Sequence, residues 1–208
     1  KEAMMYKYNF LNIFLKKRKK IMQDLKEIKV NYILPVENLK YDKSFRNKPG
    51  IENSMLFDVG CYIYDFIWSF EIPYEKLFVY EMKFFNDGKP KFLFLKSNDK
   101  NKKKKLTFKF GYGKKYINQV EIISKYNISY KLSPFFYGRK SNVNIKITKG
   151  HKKYEKLYFN ENCFVKMISE WYLNKKTSTQ DELSNFNRIS FIQNSLYKLS
   201  QNWRSDVQ

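Results

Sequence analysis

The chain has 208 residues, 43% of them hydrophobic and 19% aromatic, which is enough to bury the core of one folded domain. It contains no run of about 18 apolar residues, which argues against a membrane-spanning helix, and its two cysteines are too few for a disulfide framework or a metal site. The formal net charge of +21 admits an acidic partner, so composition alone does not exclude nucleic acid. We expect a cytoplasmic protein with no metal.

The first part of the chain mixes short periodic segments. Residues 3–8 have the alternation of a strand, 10–23 the spacing of an amphipathic helix, and 27–34 that of a second strand, which Pro35 ends. Residues 36–49 are rich in Asn, Lys and Asp and predict a loop near a cleft. The next helix is predicted from about Asn53 to Phe70.

After Pro73 the pattern changes to alternation typical of strands. The predicted strands are 76–85, 91–95, 105–110, 119–124, 128–132, 142–148 and 154–159, and helices are predicted at 161–173 and 182–203. The short turns Asn86-Asp-Gly88 and Lys149-Gly-His151 favour antiparallel hairpins. We therefore predict an α+β fold, an open and mostly antiparallel sheet with helices packed on one face.

Such a sheet leaves its second face for water or for another protein. Several aromatic residues occupy its strands: Tyr80, Phe84, Phe92, Phe94, Phe108 and Phe110. Since successive side chains of a strand point to opposite faces, only half of them can lie under the helices. A large apolar face is uncommon on a soluble monomer. These aromatic residues therefore have two interpretations: they form an interface between protein chains on the open face, or they lie in the core under the helices.

Three polar residues interrupt the helix predicted at 53–70. Asp58, Tyr62 and Asp65 stand at i, i+4 and i+7, so they share one side of a helix that is otherwise apolar nearly all round. From the residues alone, Asp58 is interpreted as a carboxylate at a helix end and Tyr62 as a phenol of the core.

The segment Asp58-Val-Gly-Cys-Tyr62 followed by Asp65 resembles the D-x-G-x-[HY]-x-x-D signature of the glucose-fructose oxidoreductase and inositol dehydrogenase family, Gfo/Idh/MocA. Other pieces resemble motifs of that family in the same order. They are Glu2-Ala-Met-Met-Tyr6-Lys7, Leu25-Lys-Glu-Ile28, Ser44-Phe-Arg46, Phe110-Gly-Tyr-Gly113 with Tyr116-Ile-Asn118, and Ser133-Pro-Phe-Phe136.

The resemblance implies that residues 1–208 are a single C-terminal domain for substrate binding and oligomerisation. The glycine-rich turn and the Glu-Lys-Pro motif of the family's first, dinucleotide-binding (Rossmann) domain are absent from this chain. The resemblance therefore implies that cofactor-binding residues lie outside it, and that NAD or NADP serves the full-length protein. It also implies a homodimer or tetramer through the open sheet face.

The same resemblance implies roles for individual residues. Tyr62 stands where the family places a proton-donating His or Tyr, and Asp58 matches the aspartate that holds substrate hydroxyls. Lys7, Arg46 and Asp65 are expected to contact the substrate; alternatively, Asp65 orients Tyr62 or satisfies a neighbouring backbone group. Ser54 and the two residues before it replace the family's usual glycines, so either the backbone lies further from a nicotinamide or cofactor use is altered.

Three functions stay open at this point. The first is the substrate-binding part of an NAD(P)-dependent oxidoreductase acting on a sugar or nucleotide-sugar. The second is a non-catalytic sugar-binding or scaffolding domain of the same fold. The third is a basic nucleic-acid-binding protein. For the lysine clusters at 16–20 and 102–105, a solvated face is favoured over a nucleic-acid site, because no regularly spaced stacking aromatics flank them.

Overall fold

The computed structural model of the protein describes residues 5–39, 54–74, 77–97, 104–173 and 179–205. The chain enters through a 3-10 turn, Met5–Tyr8, followed by helices α1 (Phe10–Lys17) and α2 (Lys19–Gln23). The side chain of Asn9 caps α1 by accepting the backbone N–H of Leu11 at 2.8 Å. Helix α1 buries Leu11 and Leu15 on one side.

The predicted strand at residues 3–8 is wrong where the structure describes it, at residues 5–8. The backbone N–H of Asn9 donates to the carbonyl of Tyr6 at 2.9 Å, which closes a local turn in place of a ladder bond. Strand β1 (Leu25–Pro35), the next strand in the chain, is already paired along both edges, with the strands Lys105–Gly113 and Ile117–Ser124.

The helix predicted at 53–70 is divided in two. Helix α3 runs from Met55 to Asp58 and α4 from Gly60 to Ser69, with Val59 between them at φ −109°. Toward the end of the chain, α5 spans Cys163–Leu173 and α6 spans Thr179–Ser205, close to the predicted ranges. A second 3-10 turn, Val36–Leu39, follows β1.

Eight strands form one open sheet in the order β2-β3-β4-β1-β5-β6-β7-β8. Only β1 and β4 pair in parallel among the described strands, and every other neighbouring pair is antiparallel. Besides β1 the strands are β2 (Leu77–Phe84), β3 (Pro90–Ser97), β4 (Lys105–Gly113), β5 (Ile117–Ser124), β6 (Ile128–Ser133), β7 (Ser141–Lys149) and β8 (Lys152–Asn160). The predicted α+β class with an open, mostly antiparallel sheet is confirmed.

The core lies between the helices and one face of the sheet. Phe108 and Phe110 of β4 point into it beside Val30 of β1, and all three are fully buried. Helix α6 packs on α4 through a stripe at helical spacing, with Ile192 and Leu196 buried. A Cβ at Gly60 would approach Leu196 to 2.9 Å, so a glycine allows this close packing.

The open face of the sheet is a mixture of aromatic and charged side chains. Tyr80 is 57% exposed there, and the Nζ of Lys96 lies 3.2 Å from the centroid of its ring. Lys109 lies over Phe94 in the same way, at 4.5 Å. Cation–π contacts of this kind cover aromatic surface without a partner chain. Association through this face stays a prediction.

No helix within the described ranges has the length and apolarity needed to cross a membrane.

Candidate functional site

The candidate site is built around the junction of α3 and α4, which pack on strands β3 and β4. Asp58 ends α3 and Tyr62 lies in the first turn of α4, and both side chains are partly exposed. The backbone N–H of Tyr62 donates to the carbonyl of Val59 at 3.2 Å, so the two segments stay in helical contact across the break. Both residues act on the same buried neighbour, since Tyr62 and Asp58 each raise the pKa of Tyr32 on β1.

Asp58 is tied to the sheet by a phenol. The hydroxyl of Tyr112 on β4 donates to Oδ2 of Asp58 at 2.6 Å, and Tyr112 itself is buried. This bond fixes the orientation of the carboxylate while part of the side chain stays open to solvent. Tyr112 belongs to the Phe110-Gly-Tyr-Gly113 segment of the sequence resemblance, but sequence reasoning did not give it a role.

Tyr62 lies among other phenol rings. Its ring centroid is 5.8 Å from that of Tyr6 and 5.8 Å from that of Tyr32, in tilted and edge-on arrangements. Such geometries are the favoured ones for aromatic pairs and hold the Tyr62 ring in place. Tyr32 in turn stacks on Phe136 at 4.9 Å.

Tyr32 was not recognised as a site residue from the sequence. Burial raises the pKa of Tyr32 well above its usual value, and the neighbouring Tyr62, Tyr116 and Asp58 raise it further. The Tyr32 hydroxyl therefore holds its proton more firmly than a free phenol does and can donate a hydrogen bond. The only sequence signal for Tyr32 was its place in the inward alternation of β1, which is equally typical of a core residue.

Asn118 of β5 fixes the wall of the site opposite the helices. Its Oδ1 accepts the backbone N–H groups of Phe135 and Phe136, at 2.9 and 2.7 Å, and its Nδ2 donates to the hydroxyl of Tyr116 at 2.7 Å. The 133–136 segment, which resembles a family motif, is thereby held against β5. Burial raises the pKa of Tyr116, and the amide of Asn118 opposes that shift.

Asp65 occupies a different environment from Asp58. It is fully buried, and its carboxylate accepts a hydrogen bond from the hydroxyl of Tyr6 and contacts Nη1 of Arg188 at 2.5 Å and Nζ of Lys7 at 3.0 Å. We name these four residues the Asp65 cluster. It joins the entry turn, α4 and α6. Burial and the Asp65 charge both raise the pKa of Tyr6 well above its usual value.

Lys7, predicted to contact substrate, is part of this cluster. Its side chain is 23% exposed, so it reaches from the buried carboxylate to the surface. Burial lowers the pKa of Lys7, the Asp65 carboxylate opposes the shift, and Arg188 adds to it. Arg46 lies outside the described residues. Substrate contact by Lys7, Arg46 or Asp65 stays a prediction.

No protein-family model matches the chain, and no curated protein matches it. Solved structures do share its fold. KijD10, a 3-ketoreductase from Actinomadura kijaniata crystallised with NADP and TDP-benzene, superposes with a TM-score of 0.68 at 11% identity, covering 92% of this chain and 60% of that one.

A second solved structure is an aldose-aldose oxidoreductase from Caulobacter crescentus in complex with glycerol. It superposes with a TM-score of 0.62 at 11% identity and covers 93% of this chain and 60% of that chain. This chain thus spans about 60% of the length of these enzymes. The chain therefore has the fold of the matching portion of sugar-acting and keto-group-reducing oxidoreductases.

Proposed function

We propose that this chain is the substrate-binding and oligomerisation portion of an NAD(P)-dependent oxidoreductase of the Gfo/Idh/MocA type, acting on a sugar or nucleotide-sugar. The observation that carries the proposal is that Asp58 and Tyr62, on either side of the α3–α4 junction, are both half-exposed and each is held by a buried phenol, Asp58 by Tyr112 and Tyr62 by Tyr32. The shared fold supports it, because both comparison structures are oxidoreductases.

Asp58 is proposed to hold substrate hydroxyls. An oriented carboxylate accepts hydrogen bonds from neighbouring sugar hydroxyl groups, and such charged hydrogen bonds are stronger than neutral ones. Tyr112 donates to Oδ2 and so fixes the orientation of the carboxylate. This arrangement costs little reorganisation when a substrate binds.

Tyr62 is proposed to exchange the proton on the reacting oxygen. When bound, a nicotinamide exchanges a hydride with a carbinol or ketone carbon. Reduction places negative charge on the carbonyl oxygen, and the Tyr62 hydroxyl then donates its proton to that oxygen; oxidation takes the same proton back. A phenol with a reference pKa of about 10 needs a nearby cation for this exchange, and the family resemblance places that cation in the first domain.

The described part of this chain does not itself fit a dinucleotide. Its glycines with positive φ, Gly88, Gly111 and Gly150, lie in two hairpin turns and within β4. Among the described residues, none of these leads a strand into a helix N-terminus, the arrangement that binds a pyrophosphate. We therefore assign NAD or NADP to a dinucleotide-binding domain outside this chain.

The Asp65 cluster is proposed to position the site, with Lys7 at its outer edge. Asp65 follows Tyr62 by one turn of α4, and its contacts anchor that turn to α6 and to the entry segment. The Tyr6 ring connects the two groups, since it contacts Tyr62 while its hydroxyl donates to Asp65. In this proposal Asp65 orients the Tyr62 turn, and Lys7 faces the substrate.

A titration tests substrate binding by this chain. Calorimetry with dTDP-glucose and with free glucose should give saturable binding of one of them, and Asp58→Asn should weaken it about tenfold, because a charged hydrogen bond contributes about 1.5–3 kcal/mol. Glu121→Gln, on the open sheet face, is the matched control and should change affinity less than about twofold.

The outcomes separate the three functions. Binding that Asp58→Asn leaves unchanged contradicts the assigned site. If the full-length protein binds sugar but never oxidises NADH or NADPH, the non-catalytic sugar-binding function is selected. Retention on DNA or RNA that falls steeply with salt, with no sugar binding, selects the nucleic-acid alternative.

A further inference from the structure

A second cavity lies on the helix side of the sheet, away from the candidate site. Its volume is about 520 Å³, and it opens between α1, α2 and strands β5 to β8. The floor is apolar: Phe14, Ile21, Tyr130, Ile145, Ile147 and Tyr158. Phe14, Ile21 and Ile145 are buried, and Tyr158 is held by stacking on Phe10 at 4.3 Å. Sites for small organic ligands have volumes of about 300–1,000 Å³ and similar linings.

This cavity and the candidate site lie at opposite ends of β5. Ser124 lines the cavity, whereas Asn118 belongs to the wall of the candidate site. The two residues are six positions apart along the strand, which is about 20 Å at ~3.3 Å per residue. A ligand in one cannot contact the other.

The rim of the cavity is cationic. Arg18, Lys20 and Lys156 line it and are exposed, and the Arg18 guanidinium lies 4.1 Å from the centroid of the Phe14 ring. Asp24, the one acidic residue among the described residues that line the cavity, pairs with Lys125 at 2.7 Å. The charge that faces the opening is therefore positive, directly above an apolar floor.

We propose that this cavity binds a small amphipathic anion, with an apolar body on the floor and a carboxylate or sulfonate among the rim cations. Removing the apolar body from water supplies about 25 cal/mol per Å² of buried surface. A guanidinium and two ammonium groups bind an anionic head through charged hydrogen bonds. A neutral or cationic molecule of the same shape lacks the second contribution. The site does not depend on the oxidoreductase function.

Calorimetric titration with two anions tests the site and distinguishes aliphatic from aromatic ligands. Decanoate and 2-naphthoate are the probes, and decyltrimethylammonium is the cationic control. We expect saturable one-to-one binding of at least one anion, and at least about tenfold weaker binding of the decyl cation. The tighter anion identifies the apolar body that the floor prefers.

Two matched triple variants test the rim. Arg18→Gln with Lys20→Gln and Lys156→Gln should weaken the anion about tenfold or more. The control triple removes the same charge from neighbours that do not line the cavity: Lys17→Gln, Lys19→Gln and Lys153→Gln. It should change affinity less than about twofold. Equal losses in both triples would mean non-specific attraction to a basic protein and would overturn the proposal.

A floor variant tests the cavity independently of charge. Ile147 is half-buried, so Ile147→Trp adds volume without entering the closed core. It should abolish binding of both anions while the thermal midpoint stays within a few degrees of the parent protein. The proposal is also refuted by no saturable anion binding, by equal binding of the decyl cation, or by unchanged binding in Ile147→Trp. Glucose and dTDP-glucose should not displace either anion.

Discussion

Replacing Arg188 should destabilise the protein strongly, because Arg188 holds the buried carboxylate of Asp65. The side chain of Asp65 has no exposed surface, that of Arg188 is 8% exposed, and their atoms are 2.5 Å apart. Removing one member of a buried ion pair costs about 3–5 kcal/mol, since it leaves an uncompensated charge. Lys7 and Tyr6 remain on the carboxylate after the substitution. We therefore expect the lower end, about 3 kcal/mol, for Arg188→Met.

Urea unfolding followed by circular dichroism measures this change directly. For a chain of this length about 3 kcal/mol corresponds to a fall of about 6–12 °C in the thermal midpoint. Lys198→Met, on the exposed side of the same helix, is the control and should change the free energy of unfolding by less than about 0.5 kcal/mol.

A double-mutant cycle separates the ion pair from lost packing. Arg188→Met and Asp65→Asn each remove one side of the Arg188–Asp65 ion pair and leave the other charge buried, whereas the double variant removes both charges. The double variant should therefore lose about 1–3 kcal/mol less than the two single changes together. Additive losses, or a cost below about 1 kcal/mol for Arg188→Met, would refute the role given to the Asp65 cluster.

Three further predictions concern other parts of the fold. Gly111→Ala should lower the free energy of unfolding in urea by about 3 kcal/mol, because the φ of Gly111 is +135° and a Cβ would lie 2.4 Å from the carbonyl oxygen of Lys91. Gly88→Ala, the control, has open space around the added Cβ at φ +78° and should lower it by only about 1 kcal/mol. Burial raises the pKa of Tyr64, so above about pH 10 the phenol ionises in the unfolded chain before it does in the folded protein, and the free energy of unfolding falls as pH rises. Tyr64→Phe should make that fall shallower by about 1.4 kcal/mol per pH unit. An unchanged pH dependence of the free energy of unfolding contradicts this prediction. If the open face associates, light scattering should show dimers or tetramers, and Ile117→Glu, at a 44% exposed position, should give monomers without loss of thermal stability; a monomeric parent protein contradicts the prediction.

The strands were predictable because their alternation is local. Every predicted strand after Pro73 is present within a few residues of its predicted ends, and the turn at Gly88 joins β2 to β3 as an antiparallel hairpin. The segment at residues 3–8 was mispredicted because its conformation depends on a contact that is distant in sequence. Its conformation places Tyr6 against Asp65, 59 residues away, and no alternation within residues 3–8 encodes that contact.

The candidate site was predictable only in part. The spacing of Asp58 and Tyr62 placed them together, but nothing in the helical pattern predicted the break at Val59. Tyr112 and Arg188 were missed because their partners are 54 and 123 residues away. One signal was available for Arg188: it lies four residues before Ile192 on the buried stripe of α6, where a cation needs a buried anion.

The central claim is that Tyr62 exchanges the proton on a sugar oxygen. The most direct test is the rate at which the full-length protein oxidises NADH or NADPH with a keto-sugar as substrate, comparing the parent protein with Tyr62→Phe and with the exposed control Tyr172→Phe. The account predicts that Tyr62→Phe lowers kcat about 10²–10⁴-fold with little change in KM, while Tyr172→Phe leaves both unchanged. Full activity of Tyr62→Phe in an otherwise active enzyme would contradict it.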